Sequence, residues 1–263
     1  MNVSNRNFFL INFITIVPLM RNILLVTVLI TFSCQNPTKK IQNQSQKPNV
    51  IIIYMDDLGY GDVSSFGKGK LKTPNIDKLA NNGLKFLKGY SSSATCTPRR
   101  YGLLTGTYPW RNTRAKIITG GSLIIDTAQM TLPKLLKING YKTGVVGKWH
   151  LGLGKDKINY NKTISPGANE IGFDYSYILA DTQDRVPSVY IENGRVENLD
   201  VNDPISINFD ENDYGLPTGL KNPELTTMKW HHGHNGSIVN GIPRIGFMKG
   251  GNKAKWKDED MAD

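Results

Sequence analysis

The most constraining stretch of this chain is Val50-Ile51-Ile52-Ile53-Tyr54-Met55, a continuous apolar, β-branched run. A run of this kind without polar alternation predicts a strand covered on both faces, as in a parallel sheet. It stops at Asp56-Asp57-Leu58-Gly59-Tyr60-Gly61-Asp62. The carboxyl ends of parallel strands are where α/β sheets place ligand sites. Adjacent carboxylates there repel unless a cation or hydrogen-bond donors compensate them. A hard cation such as Ca²⁺, taking about 6–8 oxygen ligands, would do so. A plain turn of Asp and Gly residues is the other reading.

Downstream, helical and strand patterns alternate. Thr73 to Gly83 reads as a short helix capped by Thr73, opened by Pro74 and closed by Gly83, with Ile76, Leu79 and Ala80 as its packing stripe. Residues 84–90 read as a strand. Thr131 to Gly140 reads as a second capped helix, with Leu132, Leu135, Leu136 and Ile138 inward. Residues 141–146 form the next strand, ending in Gly147-Lys148-Trp149-His150-Leu151-Gly152. Residues 188–199 read as a hairpin about Asn193-Gly194, a favoured type I′ turn. Residues 200–222, rich in Asp, Asn and Pro, read as loop.

Between these elements lies Cys96-Thr97-Pro98-Arg99-Arg100-Tyr101-Gly102-Leu103-Leu104-Thr105-Gly106. Pro98 fits a first helical turn, where its missing N–H costs nothing. Cys96 then lies at the helix N-terminus, among unpaired N–H groups that favour a charged nucleophile or a bound anion. Arg100 adds a fixed cation one turn on. A buried cysteine before an ordinary helix is the bland alternative. Lys148 and His150 supply a point charge and a proton carrier. Two apart in an extended loop, they are expected to face the same way.

Cys96-Thr97-Pro98-Arg99-Arg100 with Leu103-Leu104-Thr105-Gly106 resembles the C-x-P-x-R…LLTG motif of type I, formylglycine-dependent sulfatases. The position between Pro98 and Arg100, which that family fills with Ser, Ala or Thr, is Arg99 here. Asp56-Asp57, the Thr73 helix, Gly147 to Gly152 and the Gly172-Phe173-Asp174 turn are similar to further motifs of the family. The resemblance implies an α/β fold of the alkaline phosphatase-like superfamily: a mixed, mostly parallel sheet sandwiched by helices. It implies sulfate-ester hydrolysis through formylglycine made from Cys96 by a separate maturation enzyme. Asp56, Asp57 and the modified Cys96 would hold Ca²⁺, with Mg²⁺ as the alternative. Arg100, Lys148 and His150 would serve catalysis, Lys148 and His150 also binding the sulfate. The substrate would be a sulfated small molecule or glycan. A phosphonate or phosphate monoester hydrolase on the same fold, or a non-catalytic homologue, are the competing readings.

The resemblance runs from residue 48 to 263, strongest to Gly152. The family's second His motif, its Asp-Asn metal ligands and its second Lys are not found, so the chain reads as the N-terminal part of a sulfatase catalytic domain, residues 49–263. Ahead of it, residues 1–34 read as a signal segment. Met20-Arg21-Asn22 and a short apolar core lead to Thr31-Phe32-Ser33-Cys34, similar to a bacterial lipoprotein signal with Cys34 as the lipidated residue and Met20 as the effective start. This implies export to the periplasm or outer membrane on a lipid anchor; a membrane-anchored signal that stays uncleaved is the alternative. Residues 35–48 are a polar linker. With two cysteines so assigned, a disulfide between Cys34 and Cys96 is not expected. The charge of +10, from 32 Lys and Arg against 22 Asp and Glu, favours anionic ligands. The basic residues are scattered and no nucleic-acid motif is present. His231, His232 and His234 sit close enough for zinc, but no fourth ligand accompanies them at a recognisable spacing; a substrate-facing or plain surface loop is the alternative.

Overall fold

The structure, a computed structural model, describes residues 47–67, 70–229 and 233–261. The chain divides into two units, Met1–Met55 and Asp56–Asp263. In the first, the expected strand is corrected: residues 50–55 join no ladder, and Ile51 is 84% exposed. A parallel strand forms only where flanking strands satisfy its N–H and C=O groups, and among the described residues none flanks this run. Cys34, Met20 and the proposed signal segment lie outside the described residues.

In the second unit, α1 spans Pro74–Asn82. Thr73 precedes it as expected, but its hydroxyl makes no cap bond to the helix. It instead joins Ser64 and Asp77 in a side-chain knot, with Thr73 Oγ1 2.8 Å from Ser64 Oγ and 3.1 Å from Asp77 Oδ1. The Ser64 hydrogen bond holds the Asp77 carboxyl below its ordinary range. Ile76 and Ala80 are partly buried, whereas Leu79 is exposed. Residues 84–90 do not form the expected strand, only a turn at 87–88, with Leu84, Phe86 and Tyr90 exposed. Without a neighbouring strand, apolar alternation alone does not create one.

Helix α2 spans Cys96–Thr105 and closes at Gly106, whose left-handed backbone (φ 64°) returns its N–H to the Gly102 carbonyl. Helix α3 spans Leu132–Ile138, with the Thr131 hydroxyl accepting from the Lys134 N–H and donating to the Ile171 carbonyl. Its buried residue is Pro133; Leu132 and Leu136 are partly covered, while Leu135 and Ile138 point to solvent, against expectation. Seven residues make about two turns, so only one narrow stripe meets the core.

The main sheet has the order β1-β2-β3-β4, with β1 Gly144–Lys148, β2 Tyr175–Leu179, β3 Tyr190–Glu192 and β4 Arg195–Val196. It is mixed. β1 and β2 run parallel, in register from Gly144 against Tyr175 to Lys148 against Leu179, and the other pairings are antiparallel. β1 starts three residues later than expected, because the Thr143 N–H is taken by the Asp174 carboxylate at 2.9 Å. The hairpin turns at Asn193 and Gly194, both with positive φ as a type I′ turn requires. Two small antiparallel pairs follow: β5 Ser206–Asn208 with β8 Phe247–Lys249, and β6 Ile238–Val239 with β7 Ile242–Pro243. β5 thus falls inside the segment expected to be loop. The core gathers Trp149, Leu151, Ile171, Ile178, Val186 and Ile191, each under 3% exposed. It therefore lies directly beneath the carboxyl ends of β1 and β2.

Candidate functional site

The site assembles where that sheet edge meets the first turn of α2. Two hydrogen bonds stitch them: Thr97 Oγ1 donates to the His150 carbonyl at 2.9 Å, and Arg100 Nη1 to the Lys148 carbonyl at 2.6 Å. These place Cys96, the first residue of α2, against the end of β1. Its sulfur lies 3.1 Å from Lys148 Nζ and 3.7 Å from Asp56 Oδ2. Asp56 is ion-paired through one oxygen to Lys148 and through the other to Arg99. Arg99 Nη2 also stands 3.7 Å from Asp57 Oδ1. Asp57 adopts φ 108°, unusual for a residue with a side chain, and its side chain is 82% exposed.

Lys148 and His150 have different hydrogen-bond partners. His150 has left-handed backbone (φ 53°), which breaks the alternation an extended loop would give. Its ring is buried, with Nε2 2.9 Å from the Ile118 carbonyl and 3.1 Å from Arg185 Nη1. A carbonyl only accepts and a guanidinium only donates, so Nε2 serves one at a time. Nδ1 is buried with no hydrogen-bond partner among the described residues. Burial is the main force lowering the His150 pKa to about 4, and the Arg185 charge adds to it. The ring is therefore neutral at pH 7.

Arg185 went unnoticed in the sequence. It follows β2 at the same sheet edge, in a dense polar run Asp181-Thr182-Gln183-Asp184-Arg185, and that density after a strand was the available signal. The run is held in place by contacts from several other segments. The Ile245 N–H donates to the Asp184 carbonyl at 2.7 Å, and buried Arg244 donates to the Gln183 carbonyl at 2.5 Å. Asp181 accepts the Gly120 N–H at 2.9 Å, and burial pushes its carboxyl up to about 6. His234 lies here too, with Nε2 2.9 Å from Asp184 Oδ2; His231 and His232 lie outside the described residues. Among the described residues no group of three or more His, Cys, Asp or Glu side chains is arranged to hold a metal, and Cys96 is a free thiol.

The donors at Asp56 and Asp57 nonetheless suit a hard cation: both carboxylates face a single guanidinium, a stand-in positive charge, beside the Cys96 sulfur. An anion meeting Lys148 and Arg100 beside the α2 N-terminus would find fixed positive charge and unpaired N–H groups.

The Sulfatase family profile matches residues 48–218. The chain belongs to the sulfatase family. It is 52% identical over 251 residues to the N-acetylgalactosamine-6-O-sulfatase of Bacteroides thetaiotaomicron, covering 94% of this chain and 48% of that protein. It is 40% identical over 116 residues to human steryl-sulfatase, covering 41% of this chain and 20% of that one. A solved sulfatase structure from B. thetaiotaomicron, described in work on glycosaminoglycan metabolism, superposes with a TM-score of 0.81 at 55% identity, over 83% of this chain and 46% of that one. The α/β sulfatase fold expected from the motifs is thus present. The chain spans about half the length of these Bacteroides relatives.

Proposed function

We propose that this sulfatase chain acts in hydrolysing sulfate esters of carbohydrates, with Cys96 as the position of the nucleophile. The observation that carries the reading is the convergence of Lys148 and the α2 N-terminus on the Cys96 sulfur. The relative named N-acetylgalactosamine-6-O-sulfatase supports a sulfated amino sugar as the substrate.

Formylglycine at position 96 would supply a hydrated-aldehyde oxygen that attacks sulfur as the ester's alcohol leaves, its second hydroxyl then expelling sulfate and restoring the aldehyde. Asp56 and Asp57 would hold Ca²⁺, or Mg²⁺, whose charge favours the anionic form of that oxygen. Lys148 binds a sulfate oxygen as a point charge and orients the ester over residue 96. Arg100, fixed by the Lys148 carbonyl, keeps the end of β1 against α2 and adds positive charge for the anion. His150, neutral at pH 7 with a buried Nδ1 that has no partner among the described residues, would take up a proton only against the burial that lowers its pKa to about 4.

The test is turnover of 6-sulfated N-acetylgalactosamine, an aryl sulfate and an aryl phosphate by protein co-expressed with a formylglycine-generating enzyme. Sulfate release that vanishes in Cys96→Ala, with an unchanged circular dichroism spectrum, is the expected result; release retained by that variant refutes the mechanism. One observation favours a second reading, a homologue that binds sulfated glycan without turnover: both Asp56 oxygens are already engaged by side-chain cations. Glycan binding with no sulfate release would establish it, and faster aryl phosphate cleavage would establish a phosphate monoester hydrolase.

We also propose, from the resemblance of Met20 to Cys34 to a bacterial lipoprotein signal, that the protein is exported and anchored through Cys34. Cys34→Ala should move it from the membrane fraction to the soluble fraction; an unchanged distribution refutes the anchor.

A further inference from the structure

Arg99 is the residue that departs from the sulfatase motif, and its side chain is spent on the two aspartates. The guanidinium is ion-paired to one oxygen of Asp56 and stands 3.7 Å from Asp57, with only 11% of the side chain exposed. Lys148 holds the other Asp56 oxygen with a side chain 15% exposed. Two negative charges are thus met by two positive ones, and the local sum is zero.

A hard divalent cation binds through carboxylate lone pairs, and it needs them unshared. Here the guanidinium lies against Asp56 and repels a second cation at the same short range. A side chain mostly excluded from water is screened less by salt than a surface charge. We propose that Arg99 is an internal counterion that competes with a divalent cation for Asp56 and Asp57, so that cation binding requires the guanidinium to move away. The inference rests on the reading of Asp56 and Asp57 as cation-holding residues. It adds that this chain regulates its own metal affinity through a residue one position from Arg100.

Calcium chloride titrated into the purified chain by calorimetry, with no substrate present, tests it. Arg99→Ser is expected to bind Ca²⁺ at least tenfold more tightly than the unmodified chain. Asp56→Asn added to Arg99→Ser should remove the gain, which locates the ion. Arg99→Lys, which keeps a charge but loses the planar fork, should fall between them. Equal affinity with and without Arg99, no binding by either protein, or a gain that survives Asp56→Asn each overturns the proposal. Arg99→Ala, followed by the shift of its melting temperature with calcium, serves if the serine variant does not fold. No arm reads turnover. A chain that releases no sulfate leaves the comparison standing, and an unchanged calcium affinity refutes the proposal even in an active sulfatase.

Discussion

The ammonium nitrogen of Lys148 stands 3.1 Å from the sulfur of Cys96, joining the end of β1 to the first residue of α2 across 52 positions of sequence. Two elements that are separate in the chain thereby share one charged point. Lys148→Ala should lower kcat/KM for a sulfate ester by about 10²–10³-fold, the usual loss when a preorganised donor to a developing anion is removed. Lys148→Arg should recover part of it, since the charge remains but the planar fork reaches differently. Steady-state kinetics on both variants decides the matter, and an alanine variant within threefold of the parent removes Lys148 from the reaction.

His150 and Asp181 tilt stability in opposite directions. Burial, aided by Arg185 and Arg100 and opposed by Asp184, lowers the His150 pKa from 6.5 to about 4. Between those values the folded state binds fewer protons than the unfolded one, so His150 makes stability rise with pH and its contribution is lost on acidification. Burial raises the Asp181 pKa from 3.8 to about 6, against the Gly120 N–H and Arg185 and with the help of Asp184. There the folded state binds more protons, so stability falls as pH rises through the same window. The two slopes largely cancel in the parent. In Asp181→Asn, urea unfolding should show stability increasing from pH 4 to 6 by roughly 2 kcal/mol, at about 1.4 kcal/mol per pKa unit. His150→Asn should show the reverse slope. Parallel curves in the two variants would contradict both shifts.

Gly152 separates backbone strain from collision. It has φ 76°, and a Cβ there would stand 2.1 Å from the Ser122 carbonyl oxygen, a backbone atom that has no rotamer to yield. Gly106 has a similar φ of 64° with open space around it. Gly106→Ala should cost about 1 kcal/mol, the left-handed penalty alone. Gly152→Ala should cost about 3 kcal/mol or more, because the collision adds to the strain. Equal losses in chemical denaturation would show that residues 121–122 move aside freely.

Arg244 is the buried support of the Arg185 run. It is 1% exposed and donates at 2.5 Å both to the Gln183 carbonyl and to Asp258 Oδ2. Arg244→Ala leaves a carboxylate and a carbonyl without their donor, so a loss of about 3–5 kcal/mol is expected. Asp258, with a side chain 20% exposed, can recover some solvation, so Asp258→Asn should cost less. Thermal and urea unfolding of the two variants rank them; a costlier Asp258→Asn would overturn the assignment.

Local signals were read well where they were chemically complete. Asn193-Gly194 set its own hairpin, because only residues tolerant of positive φ fit a type I′ turn. Cys96 and Pro98 marked the start of α2 through backbone rules that need no partner. The stripes failed where burial depended on neighbours: Leu79, Leu135 and Ile138 are apolar and still exposed. Residues 50–55 carry the composition of a buried strand and form none, because a strand is completed by its neighbours.

The sequence by itself determined the family, the cysteine at a helix N-terminus, and the chemical types at Asp56, Asp57, Arg100, Lys148 and His150, since motif spacing and backbone propensity are local properties of the chain. Tertiary structure decided which charges meet. It put Arg99 on the aspartates, gave His150 a left-handed backbone, and brought Arg185 against a buried imidazole. Contacts between residues tens of positions apart depend on the register of β1 against β2 and on how closely α2 docks there. Composition and periodicity carry no record of either.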